Sequence, residues 1–136
     1  MQYVNLSDRI LDLRRAAGFA AWLREEGGPN LVETAALFGG PHWGSRADAL
    51  IQLVTEGAEP LEHIQDLRAL RDFLHDALGG GLPVASVEDG DIDFLEPDDP
   101  KVICALECLT TLDQGVTALD AARTLKRRLT HGALGA

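Results

Sequence analysis

Carboxylates are the first residues in this chain whose types and spacing could do chemistry. Glu88, Asp89, Asp91, Asp93, Glu96, Asp98 and Asp99 crowd one short stretch. The alternation Asp89, Asp91, Asp93 matches the opening of a calcium loop. That loop also needs glycine at its sixth place for the sharp turn and glutamate at its twelfth for bidentate ligation. Phe94 and Pro100 stand there instead, so the match fails and no metal ligand is assigned, although Asp91 and Asp93 would share a hairpin face that could hold a weak cation. Three uses of the acids remain. They can form a solvated turn running into a helix cap, pair inside the molecule with Arg123, Lys126, Arg127 and Arg128, or dock a basic partner.

His42 and Trp43 form a second candidate. They lie in Gly39-Gly40-Pro41-His42-Trp43-Gly44, and an aromatic and an imidazole between glycines and a proline suit a binding loop. The plainer expectation is that Trp43 folds back over the core, because an idle exposed indole is unfavourable. Asp72 and His75 have the three-residue spacing of helical di-iron ligands. No second acid–histidine pair repeats it, since Gly39, Pro60 and Arg128 precede His42, His63 and His131 by three. Cys104 and Cys108 would share a helix face. Without a CxxC pair or a spaced histidine they read as small core residues, not as zinc ligands or reactive thiols. Gly44-Ser45 lacks the first glycine of a nucleophile elbow, and Gly79-Gly80-Gly81 lacks the lysine and hydroxyl of a phosphate loop. No catalytic residue and no cofactor is expected.

The elements that must position these residues are mostly helical. Ser7 is expected to cap a first helix using Ile10, Leu13, Ala17, Ala20 or Ala21 and Leu23, ended by Gly27-Gly28-Pro29. Asn30 with Glu33 suggests a capping box for a short helix, 31–38. After the 39–44 loop, Ser45 with Asp48 opens a third helix that stops at Gly57. Residues 31–54 have helix-turn-helix spacing, but that loop is too long for the usual tight turn. Pro60 opens a fourth helix with the stripe Leu61, Ile64, Leu67, Leu70, Leu74 and Leu78.

Asp89-Gly90 between alternating runs predicts a two-residue hairpin turn within about 83–96, with Ala85 facing Phe94 and Val87 facing Ile92. Asp99 then caps, and Pro100 opens, a fifth helix. Its run Val-Ile-Cys-Ala-Leu-Glu-Cys-Leu is apolar on every side, which predicts burial all round. Gly115 is read as its stop, and Thr117 with Asp120 as the start of a sixth helix. The expectation is a mainly α single domain, 1–136, of about six helices with one hairpin before a buried fifth helix. An α+β fold is the alternative.

The chain has 136 residues, 46% of them hydrophobic, and a net charge of −10. Residues 57–100 hold twelve acids and two bases, while 1–56 are net −2 and 101–136 net +2. Such a segment repels nucleic acid and anionic membrane, so neither is an expected partner. No apolar run approaches the roughly 20 residues that span a bilayer, so no transmembrane helix is expected, and the start of the chain shows no basic-then-apolar leader pattern. Two cysteines without a disulfide framework suit a reducing cytoplasm.

These features lead to a non-enzymatic binding module of bacterial type, using Glu88, Asp89, Asp91, Asp93 and Glu96, with His42 and Trp43, to engage a basic protein. Inhibitors, immunity proteins, anti-defence proteins and secretion chaperones share that physical description. The alternative is a small enzyme or small-molecule binder with its pocket near His42 and Trp43. A helical homodimer is the third expectation, should the fifth helix be covered on one side only.

Overall fold

A computed structural model of the chain describes the backbone of residues 6–79, 84–86 and 92–134, and side chains within 13–79, 86, 92 and 94–124. The protein is mostly helical. Four α-helices fall among the described residues: α1 (Leu6–Arg24), α2 (Gly27–Thr55), α3 (Ile64–Gly79), led in by a 3-10 turn at Pro60–His63, and α4 (Pro100–Leu134). α4 packs against α1, α2, α3 and the 3-10 turn, so it is the element the others surround. The core is drawn from every helix: Leu23, Leu31, Val54, Leu67, Leu74, Leu112 and Val116 are each fully enclosed.

Four helical stretches stand where six helices were expected, and one of them, α2, is itself two helical arms joined across a kink. In the middle of α2, Gly40 adopts φ 75°, ψ −169° and alone reverses the chain. Only glycine takes that conformation without strain, and Pro41 then opens the second arm with its missing N–H harmless. The arms fold onto each other. A Cβ on Gly44 would lie 2.9 Å from that of Ala36, and one on Gly28 would lie 2.8 Å from Ile51 Cγ2. The expected 39–44 loop is therefore one residue of reversal, and Ser45 and Asp48 lie inside helix rather than at its start. Asp48 accepts a hydrogen bond from Gln52 Nε2 at 3.0 Å.

Gly115, expected as a stop, is buried within an unbroken α4. Thr117 does not cap a new helix. Its hydroxyl donates to the Asp113 carbonyl one turn back, as Thr110, Thr111 and Thr124 do to theirs. α1 ends at Arg24, just before Gly27-Gly28-Pro29, but those residues open α2 directly, and Asn30 lies inside that helix rather than capping it.

Other local signals hold. Gly57 (φ 113°) ends α2: its N–H reaches the Val54 carbonyl and that of Ala58 the Leu53 carbonyl, both orphans of the last turn. Arg24 Nε donates to the same Val54 carbonyl at 3.1 Å, tying the end of α1 to the end of α2. Asp99 Oδ1 accepts the Lys101 N–H at 2.9 Å and caps α4. On α3, Ile64, Leu67, Leu70, Leu74 and Leu78 are buried.

Burial of the fifth predicted helix on all sides is corrected. Val102, Ala105, Cys108, Leu112, Val116 and Leu119 face the core, but Ile103 and Leu106 are 46% and 43% exposed, and Cys104 is exposed. A second correction concerns the same helix. Pro100–Thr124, whose most apolar 18 residues have mean hydropathy 1.3, is long and apolar enough to cross a bilayer. Its inner face lies under α1, α2 and α3, where a core helix needs the same composition.

Strands β1 (Val84–Ser86) and β2 (Asp93–Leu95) pair antiparallel, Val84 opposite Leu95, Ala85 opposite Phe94 and Ser86 opposite Asp93. The turn expected at Asp89-Gly90 lies outside the described residues. Ser86 is buried and Leu95 half-buried, whereas Ile92 and Phe94 are about two-thirds exposed.

Candidate functional site

Strand β1, which lies within the acidic segment of the sequence, packs on α2 and α3. α3 carries exposed Asp66, Asp72 and Asp76, and Glu59 and Glu62 stand exposed at the 3-10 turn. Glu96 and Asp98 are exposed on the approach to α4, and Asp99 is half-buried as its cap. Glu88, Asp89 and Asp91 lie outside the described residues, and Asp93 is placed by its backbone alone.

The two bases of this segment are already engaged. Arg71 pairs with Asp72 at 3.2 Å, and Arg68 reaches across to Asp120 on α4. Arg46 meets Asp66 at 4.0 Å. Among the described residues, no cation pairs with Glu59, Glu62, Asp76, Glu96 or Asp98. Arg123, half-buried, pairs with none of the acidic segment there; Lys126, Arg127 and Arg128 have no described side chains.

The structure brings the His42–Trp43 turn onto this same surface. The Trp43 ring stacks on Phe73 of α3, centroids 4.3 Å apart and planes 15° from parallel, and the Arg46 guanidinium lies 4.5 Å from the Trp43 centroid. Such a stack contributes about 0.5–1.5 kcal/mol beyond burial. Trp43 is half-buried, folded back as the plainer expectation had it, and His42 is exposed with its edge toward the indole at 6.0 Å.

Asp72 and His75 are both exposed. Among the described residues, no three of His, Cys, Asp and Glu converge to hold a metal. The cysteines part company. Cys104 is exposed, against expectation, while Cys108 is buried. Burial pushes the Cys108 thiol up to about 11; neighbouring Cys104 adds to the rise and a hydrogen bond with Thr34 opposes it.

A further site had no sequence-level reading. A cleft of about 550 Å³ opens between α1 and α4, lined from α1 by Arg15, Gly18, Phe19 and Trp22 and from α4 chiefly by Asp113, Gln114 and Gly115. The signal available in sequence was Arg15, Gly18, Phe19 and Trp22 at one-face helical spacing. The apolar spacing of Leu13 and Ala17 masks that signal, yet both residues are exposed. A shallower groove of about 440 Å³ runs along Ile103, Leu106, Glu107 and Thr110 on the outside of α4. Neither cavity is lined by His42 or Trp43.

No family model matches the chain, and neither a curated protein nor a solved structure matches it.

Proposed function

We propose that this protein is a non-enzymatic binding and regulatory module whose acidic surface, residues 57–100 with the His42–Trp43 turn beside it, engages a basic protein partner. The observation that carries this reading is the unmatched charge. Five exposed carboxylates, Glu59, Glu62, Asp76, Glu96 and Asp98, have no cation among the described residues, while Arg68 and Arg71 are consumed by other acids. Uncompensated charge of one sign steers an oppositely charged partner and sets register, and the field reaches about 8 Å at physiological salt. His42, exposed next to a fixed indole, adds a polar and aromatic edge of the kind interfaces use. Inhibitor, immunity, anti-defence and secretion-chaperone roles in a bacterial cytoplasm all fit, and the two free thiols suit a reducing compartment.

The test is capture from the source cell, followed by kinetics with the captured protein. A basic partner should associate more slowly as salt rises. It should also be lost when Glu59, Glu62 and Glu96 become Gln and Asp76 and Asp98 become Asn, with the circular dichroism unchanged. Salt-independent association, or full binding by the neutralised variant, removes the reading.

A second reading is self-association. Exposed Ile103 and Leu106 leave an apolar strip outside the fold, as a homodimer would require. Sedimentation as a monomer at the highest soluble concentration eliminates it.

A further inference from the structure

The α1–α4 cleft is built differently from the acidic surface. Its volume, about 550 Å³, falls within the roughly 300–1,000 Å³ typical of small-molecule sites. Phe19 and Trp22 stack at 5.9 Å with planes 20° apart, giving the cleft an aromatic side. Arg15 on α1 and Asp113 on α4 both line it, yet they form no ion pair with each other or with any other described residue. Two opposite charges that face one cleft without meeting leave room for a ligand carrying the complementary pair. The hydroxyl hydrogens of Thr111 and Thr117 are spent on their own helix, so toward the cleft these groups offer acceptor lone pairs. The Gln114 amide adds a donor and an acceptor. Gly18 keeps the space open: a Cβ there would meet nothing within 4 Å.

We propose that the α1–α4 cleft binds a small aromatic zwitterion, its ring against Phe19 and Trp22, its carboxylate on Arg15 and its ammonium on Asp113. Trp22, half-buried, supplies most of the stacking area, since Phe19 is only 4% exposed, and the two unpaired charges select a molecule with an acid and an amine on one short scaffold. A purely anionic ligand would meet Asp113 and the net charge of −10; a purely cationic one would meet Arg15.

L-Phenylalanine is the probe, with 3-phenylpropionate and phenethylamine as analogues that each lack one charge. Binding is read by calorimetry on the full chain. It is read independently by fluorescence in a Trp43→Phe background, where Trp22 is the remaining tryptophan. The expected result is saturable one-to-one binding of phenylalanine, weakened about tenfold or more by removal of either charge. Arg15→Gln should erase the advantage of phenylalanine over phenethylamine, and Asp113→Asn its advantage over phenylpropionate. Gly18→Leu should fill the cleft and abolish binding while leaving the melting temperature undiminished. No saturable binding, equal binding of all three probes, or full binding by Gly18→Leu would each overturn the proposal. Arg15, Gly18 and Asp113 lie outside the acidic segment and the His42–Trp43 turn, and the calorimetry keeps Trp43 in place, so its outcome is separate from that of the proposed partner.

Discussion

Two glycines on the α1–α4 pair should respond oppositely to the same mutation. Ala is favoured over Gly by about 1 kcal/mol in a helix interior. At exposed Gly18 the added methyl meets open space, so Gly18→Ala should keep that gain whole. At buried Gly115 the same methyl would lie 2.2 Å from Phe19 Cδ1 and 2.3 Å from its Cγ, on a ring that is itself 4% exposed. A ring held at its Cγ cannot swing clear, so the helices must part or Phe19 must leave its rotamer. Overpacking of this kind costs about 1–3 kcal/mol, and contacts this short belong at the upper end. Subtracting the propensity gain leaves Gly115→Ala destabilising by about 2 kcal/mol, some 3 kcal/mol apart from Gly18→Ala. For a chain of this length the melting temperatures should move by about +3 °C and −7 °C. Urea unfolding followed by circular dichroism gives the free energies, provided m is unchanged. A Phe19→Ala background removes the obstacle and should turn Gly115→Ala stabilising, because neighbouring sites couple. If Gly115→Ala stabilises in the wild-type background as Gly18→Ala does, the close α1–α4 crossing is wrong.

Three further outcomes follow from the packing and the caps. Leu112→Ala, at a fully enclosed site, should cost about 2–5 kcal/mol, whereas Leu106→Ala on the exposed strip of α4 should change stability by about 0.5 kcal/mol or less; equal effects in urea melts would contradict the one-sided burial of α4. Asp99→Ala should lower stability by about 1 kcal/mol and Asp99→Asn by less, since the amide oxygen still accepts the Lys101 N–H; indistinguishable variants would mean the cap is idle. At pH 8 a thiol reagent should modify Cys104 quickly and Cys108 only on unfolding, as counted by mass spectrometry. Cys108 ionises near 9 when unfolded and about 11 when folded, so its contribution is intact below pH 9 and is lost as pH rises toward 11; Cys108→Ala should flatten that part of the stability curve.

Much of the local structure was legible because it depends on free energies that act within a few residues. The α3 stripe, the Gly57 stop and the Asp99 cap are set by 3.6-residue periodicity and by orphan N–H and C=O groups finding partners nearby. The mainly helical class followed from the same signals. The segregation of acids into residues 57–100 was equally plain, since charge is additive along a chain.

What only the tertiary structure decided was the meaning of each glycine and the inner side of each helix. Gly40 reverses the chain while Gly115 does not interrupt it: Pro41 disfavours helical backbone at Gly40, and at Gly115, which no proline follows, Phe19 of another helix needs the space. An all-round apolar run such as that after Pro100 does not say which side the neighbours will cover. The surrounding helices covered Val102, Ala105 and Leu112 and left Ile103 and Leu106 outside. The aromatic cleft between α1 and α4 was illegible for the same reason: it exists only where two helices distant in sequence meet, and its two charges acquire a common purpose only once that crossing sets them around one space.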